Sequence, residues 1–117
     1  MPDPAAIDAA KVLLELCARK KLTVATAESC TGGLVAATIS EISGSSAVLD
    51  CGFVTYSDKA KQEMLGVNPS TIARYGAVSR ECATEMAKGA IRHADVSLAV
   101  SITGIAGPTG ATAGKPI

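Results

Sequence analysis

The stretch from Leu22 to Ile42, LTVATAESCTGGLVAATISEI, determines the architecture because it predicts a strand, a polar turn and a helix in direct succession. Residues 22–27 are a short run rich in β-branched side chains, which is typical of a strand. A helix is predicted over 33–42, where apolar side chains recur at helical spacing, at Leu34, Val35, Ile39 and Ile42. A strand that leads directly into a helix is the basic unit of an α/β sheet.

The rest of the chain repeats this alternation of helix and strand. Asp3 and Pro4 match the N-cap and the first position of a helix, which is predicted over 4–20. The other predicted elements are strands over 48–56 and 96–103 and helices that begin near 58, 69 and 80, after the candidate caps Ser57 or Asp58, Asn68 and Ser79. Gly52, inside the second strand, indicates a bulge or a close approach of another element. The expected fold class is α/β, with a mostly parallel or mixed sheet and helices on its faces.

The balance of charge argues against a nucleic-acid partner. Lys plus Arg and Asp plus Glu both number 11, and the only local basic cluster is 19–21. With one Phe, two Tyr and no Trp, few side chains are available to stack on bases. The apolar runs are far shorter than the roughly 20 residues that span a bilayer, and no basic segment precedes an apolar one at the N-terminus. We therefore expect a cytoplasmic protein without a membrane or nucleic-acid partner.

The cysteines and the histidine favour neither a metal site nor a disulfide framework. Cys17, Cys30, Cys51 and Cys82 are widely spaced and form no C-x-x-C pair, and the sole histidine, His93, is far from them in the sequence. The cysteines at 17 and 82 fall on the apolar faces of predicted helices, so they are expected to be small buried side chains. We expect no metal and no cofactor.

Three segments follow the three predicted strands, at 28–33, 56–61 and 104–116. In open α/β sheets, ligands bind beyond the carboxyl ends of the strands. Because the three segments meet at that edge, the sequence predicts a functional site built from them.

Ser29 is the candidate nucleophile of this site. A serine between a strand and a helix is held by two ordered elements, and the unpaired N–H groups of the helix's first turn can stabilise an oxyanion. Gly32 and Gly33 allow a substrate to approach the backbone closely. The alternative is that Ser29 or Thr31 only caps the helix. Cys30 has no basic partner in the sequence and is expected to be a small buried thiol.

A catalytic serine needs a group that accepts its proton. His93 is predicted at the end of the long helix, at the opposite edge of the sheet, which argues against a Ser/His/Asp triad. A lysine can serve instead when burial lowers its pKa towards neutrality. In the segment YSDKAK, Lys61 borders the apolar face of the predicted helix, whereas Lys59 lies on its polar face. Lys61 is therefore the better candidate for the base.

Tyr56, at the end of the second predicted strand, is a candidate to hydrogen-bond between the serine and the lysine or to orient the substrate. Without a functional role, Lys61 would be a lysine whose stem packs on apolar surface, and Tyr56 a half-buried strand aromatic.

The segment GIAGPTGATAGKP, at 104–116, matches neither of two common phosphate-binding patterns. Its glycine spacing is G-x-x-G-x-x-G rather than G-x-G-x-x-G, and no glycine stands five residues before Gly114 to complete a P-loop. Its backbone amides and the Thr103 hydroxyl can still meet a polar ligand, because glycine-rich turns form anion-binding nests. The alternative is a surface loop without a function.

Four segments in this order and spacing, TAESCTGG, GFVTYSDKAK, GAVS and SITGIAGPTG, closely resemble the C-terminal domain of the competence/damage-inducible CinA family. Stand-alone members of that family include nicotinamide mononucleotide deamidase. The resemblance covers 7–116. It implies a three-layer α/β/α sandwich, a homodimer or higher oligomer, and metal-free hydrolysis of nicotinamide mononucleotide to nicotinate mononucleotide and ammonia by a Ser/Lys mechanism.

The same resemblance implies a role for each matching residue. The nucleophile corresponds to Ser29, the general base to Lys61 and the assisting tyrosine to Tyr56. The residues that it implies for the substrate pocket are Thr31, Gly32, Gly33, Thr103 and Gly104.

The family pattern continues past the glycine-rich segment into another strand and a final helix. We therefore expect one domain over 1–117 that lacks those two elements and exposes a sheet edge. The alternative function is a non-catalytic nucleotide-binding or oligomerising module, which would tolerate loss of Ser29 or Lys61. A third reading is a Ser/Lys amidase that acts on another amide.

Overall fold

The computed structural model describes residues 3–107 and residue 115. Five α-helices and three β-strands alternate in these residues, with a short 3₁₀ turn at Ser45–Ala47. The strands are β1 (Val24–Glu28), β2 (Leu49–Val54) and β3 (Leu98–Ile102). The helices are α1 (Pro4–Lys20), α2 (Leu34–Ser40), α3 (Asp58–Leu65), α4 (Pro69–Tyr75) and α5 (Arg80–Ala94).

The described strands form a parallel sheet in the order β2-β1-β3. Glu28, the last residue of β1, pairs with Val54 of β2 and with Ile102 of β3, so the three strands end at one edge. The segments that follow β1, β2 and β3 therefore meet there, as the sequence predicts for the site.

The central strand β1 separates two hydrophobic cores, and all five of its residues are buried. Ala25 and Ala27 face the core shared with α5, whereas Val24 faces the core shared with α1 and α2. This alternation follows from the two-residue period of a strand. The result is a helical layer on each face of the sheet, which confirms the α/β fold class.

Four of the helices begin next to a polar residue that caps them, whereas the N-cap of α2 is Gly33 rather than Ser29 or Thr31. The side chains of Asp3, Ser57, Asn68 and Ser79 accept hydrogen bonds from the first-turn N–H groups of α1, α3, α4 and α5. Cys17 and Cys82 are buried, as predicted from the apolar faces of their helices. No helix among the described residues is long and apolar enough to cross a membrane.

The strands confirm one of the two alternatives for Gly52 and differ from the expectation in where β3 begins. The register irregularity between β1 and β2 leaves Asp50 unpaired, rather than Gly52. Gly52 is instead a close approach, since a Cβ there would lie 2.6 Å from the Oγ1 of Thr26 and 3.2 Å from the Cβ of Ala36 in α2. β3 begins at Leu98, two residues later than predicted, after the Val96 side chain has entered the core.

We expect Gly89→Ala to destabilise the fold by about 2–3 kcal/mol, because an added Cβ would overlap the carbonyl oxygen of Leu65. In an open helix the same change stabilises by about 0.5–1 kcal/mol. Urea denaturation gives the free energy of unfolding. The matched control is Lys88→Ala, at an exposed position of the same helix. A Gly89→Ala variant that is as stable as the wild type would contradict the close packing of α5 on the end of α3.

Candidate active site

Ser29 lies directly beyond β1 and is fixed by the sheet. Its N–H donates to the carbonyl of Ile102 at 3.0 Å, which continues the pairing of β1 with β3 by one residue. The side chain is 6% exposed. Because Glu28 faces α2, the alternation of the strand directs Ser29 to the opposite face, where α3 and α5 pack.

Lys61 brings its amine to Ser29 from the second turn of α3. The Nζ atom lies 3.0 Å from the Oγ of Ser29, 2.9 Å from the carbonyl oxygen of Thr55 and 3.1 Å from that of Tyr56. The residue is 1% exposed, and no carboxylate of the described residues lies within 4.0 Å of the amine. Lys59, in contrast, lies on the solvent-exposed face of α3, where the helical spacing places it, and forms an exposed ion pair with Glu63.

The three partners of the Lys61 amine suit proton exchange with Ser29. The carbonyl oxygens of Thr55 and Tyr56 can only accept hydrogen bonds, whereas the Ser29 hydroxyl can donate or accept. A neutral amine has two N–H groups and one lone pair. In the structure the amine donates to all three oxygens, and a neutral amine could instead accept from the hydroxyl, so the contact suits proton transfer between the two groups.

A small cavity of about 150 Å³ opens beside this pair. It is smaller than the roughly 300–1,000 Å³ of pockets that enclose a drug-sized ligand. It therefore has room for a reacting group, with the rest of a larger substrate outside. Its lining residues are Ser29, Cys30, Tyr56, Asp58, Lys61, Ala77, Val78, Thr103, Gly104 and Ala106.

Tyr56 contributes its backbone to the site. Its carbonyl oxygen is a partner of the Lys61 amine, while the residue is 66% exposed at the cavity. Among the described residues its phenol makes no hydrogen bond with Ser29 or Lys61. The structure therefore does not show the expected bridge between serine and lysine. The position at the cavity suits the other expectation, contact with a substrate.

The carboxylate of Glu28 lies at the N-terminus of α2, a contact that was not predicted from the sequence. Its carboxylate is fully buried and accepts four hydrogen bonds. Oε1 accepts from the Thr31 hydroxyl at 2.6 Å and from the N–H groups of Gly33 at 3.1 Å and Val35 at 2.9 Å, and Oε2 accepts from the N–H of Ala36 at 3.0 Å. Burial raises the pKa of Glu28, but the hydrogen bonds outweigh it, so the pKa lies below its ordinary value.

Three of the residues expected to line the pocket, Thr31, Gly32 and Gly33, are instead part of this turn. Thr31 and Gly33 donate to Glu28, and the N–H of Gly32 donates to the carbonyl of Ser29 at 3.1 Å. None of the three lines the cavity, because the turn closes on the Glu28 carboxylate instead of on the cavity. The positive φ angles of Gly32 and Gly33, 61° and 107°, explain the glycines by the tightness of this turn.

Cys30 lies at the cavity and is half-buried, whereas the sequence predicted a buried thiol. Its backbone N–H has no partner among the described residues, so it remains available next to Ser29. Gly104 is in close contact with it, since a Cβ at Gly104 would lie 3.3 Å from the Cys30 sulfur.

Thr103 and Gly104 line the cavity, as expected from the segment after β3. The hydroxyl of Thr103 donates to the carbonyl of Ala77 at 2.9 Å, so it fixes the GAVS segment before α5. That segment supplies Ala77 and Val78 to the lining of the cavity. In the sequence it can be recognised by Gly76, which ends α4, and Ser79, which caps α5. The expected binding loop at 104–116 falls largely on 108–114 and 116, outside the described residues.

His93 is in the last turn of α5, the end that leads into β3, and thus at the opposite edge from Ser29. This position, like the sequence, argues against a triad with Ser29. Within 3–107 and at 115, no three His, Cys, Asp or Glu side chains are grouped to hold a metal ion.

Comparison with known proteins identifies relatives of the chain. The family model of the CinA C-terminal domain matches residues 7–117. A nicotinamide-nucleotide amidohydrolase PncC of Enterobacter agglomerans is 56% identical over 94 residues, which are 80% of this chain and 57% of that protein. A competence-damage inducible protein of Clostridium perfringens is 52% identical over 107 residues, 92% of this chain and 26% of that protein. The chain thus spans only part of the length of these relatives.

Solved structures agree with the fold. The competence/damage inducible protein CihA of Agrobacterium tumefaciens gives a TM-score of 0.95 at 47% identity, covering 100% of this chain and 71% of that one. A CinA superfamily protein of Escherichia coli gives a TM-score of 0.90 at 36% identity, covering 99% of this chain and 69% of that one. The resemblance inferred from the four sequence segments is confirmed.

The lowered pKa of Glu28 predicts a pH-dependent contribution to stability. A carboxyl whose pKa is lowered by folding stabilises the fold above its unfolded pKa, and this contribution is lost as the pH falls through the folded pKa. We expect the free energy of unfolding to fall more steeply below about pH 5 in the wild type than in Glu28→Gln. Urea denaturation from pH 7 to pH 3 tests this difference, and parallel pH curves for the two proteins would contradict it.

Proposed function

The chain belongs to the family of the CinA C-terminal domain, and we propose that it is an amidohydrolase acting on the carboxamide of nicotinamide mononucleotide. In this proposal Ser29 is the nucleophile and Lys61 is the general base. The observation that carries it is the 3.0 Å contact between the buried Lys61 amine and the Ser29 hydroxyl. The substrate is suggested by the name of the Enterobacter agglomerans relative.

In the first half of the reaction, the neutral Lys61 amine accepts the proton of Ser29 as Oγ attacks the amide carbon. A tetrahedral intermediate with a negatively charged oxygen forms. Lys61 then donates that proton to the amide nitrogen, the C–N bond breaks and ammonia leaves. The product of these steps is an ester between Ser29 and the nicotinoyl group.

In the second half, a water molecule attacks the ester and Lys61 accepts its proton. The C–O bond to Ser29 breaks, and Lys61 returns the proton to the serine oxygen. Nicotinate mononucleotide leaves, and the amine and the hydroxyl are again in their starting forms. Protons and bonds balance over the cycle without a metal or a cofactor.

The backbone N–H of Cys30 is the candidate donor for the charged oxygen of the intermediate. It belongs to the residue after the nucleophile, which supplies one oxyanion donor in hydrolases that place serine on a strand-to-helix turn. It has no other partner among the described residues, and Cys30 lines the cavity. The amides of Gly32 and Gly33 are already used within the turn, so they are unsuited to this role.

The cost of burying Lys61 favours an enzyme over a module that only binds. A lysine amine that is almost fully enclosed and has no carboxylate partner in the described residues is costly to bury in its charged form. Folds tend to retain such locally unfavourable features at functional sites. Nucleotide binding alone gives no reason to place this amine against a serine hydroxyl.

The direct test is ammonia release from nicotinamide mononucleotide by the wild-type chain and by Ser29→Ala. We expect release by the wild type, and a loss of more than about a thousandfold in kcat without the nucleophile. Circular dichroism confirms that both proteins are folded. A folded wild type that releases no ammonia, or a Ser29→Ala variant that retains full activity, would contradict the proposal.

The two lysines of α3 provide a matched pair of variants. We expect Lys61→Ala to lower kcat by about 10² to 10⁴-fold, the usual contribution of a general base. Lys59→Ala removes a lysine side chain two positions away, from an exposed ion pair, and should leave kcat unchanged. If Lys61→Ala keeps full activity, the base is a different group.

Tyr56 allows its ring and its hydroxyl to be tested separately. Because the phenol lacks a hydrogen bond with Ser29 or Lys61 in the described structure, we expect Tyr56→Phe to keep kcat within about threefold. Tyr56→Ala should raise KM, since it removes the ring from the cavity. A fall of a hundredfold in kcat for Tyr56→Phe would instead assign the hydroxyl to proton transfer.

A further inference from the structure

We propose that Glu28 is a positioning residue, which holds the Ser29 hydroxyl at the Lys61 amine by fixing the turn between β1 and α2. Glu28 precedes the nucleophile directly but points to the other face of the sheet, so it has no contact with the cavity. One of its two tests, the rate of ammonia release, rests on the proposed function. A second measurement, the chemical reactivity of Ser29, is independent of the natural substrate.

The turn is closed by the Glu28 carboxylate. Oε1 binds both the Thr31 hydroxyl and the Gly33 N–H, so the chain leaves Glu28, passes through Ser29 and returns to the same oxygen. The bond from the Gly32 N–H to the Ser29 carbonyl adds a second closure inside the turn. On its other side, Ser29 is bound to β3 through Ile102. The serine backbone is thus fixed from both directions.

The charge of Glu28 is matched by the helix and not by a cation. No lysine, arginine or histidine nitrogen of the described residues lies within 4.0 Å of this fully buried carboxylate. Its partners are the first-turn N–H groups of α2, including those of Val35 and Ala36, where the helix dipole favours a negative charge. α2 has only seven residues, and a helix this short is not stable alone. Its start, and with it the turn, depends on Glu28.

Glutamine cannot replace this carboxylate. Both oxygens of Glu28 accept hydrogen bonds, and the three partners of Oε1 leave Oε2 to accept from the Ala36 N–H at 3.0 Å. In Glu28→Gln the amide NH₂ would face either that N–H or the three donors around Oε1, and a donor would oppose a donor. The turn must then relax, and a shift of about 1 Å in a reacting group can cost about a hundredfold in rate.

The experiment compares Glu28→Gln with two further variants in the full chain. Thr31→Val removes the hydroxyl that bonds to Glu28 and keeps the three backbone bonds. Gly44→Ala is the control: it strains a backbone with φ of 87° at a position far from the cavity and near the end of α2. For each protein we measure kcat and KM of ammonia release, the melting temperature, and the rate at which a fluorophosphonate probe modifies Ser29.

We expect Glu28→Gln to lower kcat and the rate of Ser29 modification by about a hundredfold, with KM within about threefold of the wild type. Thr31→Val should lower the same two rates by about tenfold, and adding it to Glu28→Gln should cause no further loss. Gly44→Ala should lower the melting temperature and leave both rates unchanged. This pattern separates positioning of the nucleophile from a general loss of stability.

Other results overturn the inference in distinct ways. A wild type that is modified at Ser29 but releases no ammonia contradicts the proposed function alone, and the modification rates still test Glu28. Unchanged modification and kcat in folded Glu28→Gln, or in Thr31→Val if the first variant does not fold, overturn the positioning role alone. A wild type whose Ser29 is unreactive in both assays overturns both proposals. A loss of both rates in Gly44→Ala as large as that in Glu28→Gln overturns the positioning role of Glu28 alone.

Discussion

The contact between the Lys61 amine and the Ser29 hydroxyl is the interaction on which the proposed mechanism depends. The two residues are 32 positions apart in the chain, and the parallel pairing of β1 with β2 brings them together. Glu28 and Val54 end their strands side by side, and α3 begins four residues after Val54. The second turn of α3 therefore lies over the end of β1. Thr55 and Tyr56 connect β2 with α3, and their carbonyl oxygens fix the Lys61 amine beside Ser29.

Two buried ionisable groups lie back to back at the end of β1. Glu28 faces α2, where N–H groups surround its carboxylate, while Ser29 faces the Lys61 amine, whose other partners are carbonyl oxygens. Each group is thus satisfied by backbone dipoles of the opposite sense, and neither has an ion-pair partner in the described residues. The strand alternation keeps them apart, so the carboxylate does not contact the amine that the proposed reaction uses as a base.

Sequence patterns predicted the elements from local signals, and they singled out Ser29 and Lys61 because the segments that follow parallel strands meet at one edge of the sheet. The caps at Asp3, Ser57 and Ser79 and the burial of Lys61 follow from helix rules and helical spacing. The partners of Glu28 could not be predicted in the same way. A carboxylate before a polar turn can point to solvent or to its own helix, and only the strand register and the glycine turn determine which. For that reason the sequence did not show that the N–H groups of Gly32 and Gly33 are bonded within the turn.

The most direct test of the central claim is to trap the intermediate on Ser29. Wild-type protein is mixed with nicotinamide mononucleotide, quenched with acid within the first turnover and mapped by mass spectrometry, and a parallel reaction contains hydroxylamine. The Ser/Lys mechanism predicts a nicotinoyl mononucleotide ester on the peptide that holds Ser29, and a hydroxamate product when hydroxylamine competes with water. Release of ammonia with Ser29 unmodified and without any hydroxamate would contradict it, because water would then attack the amide directly.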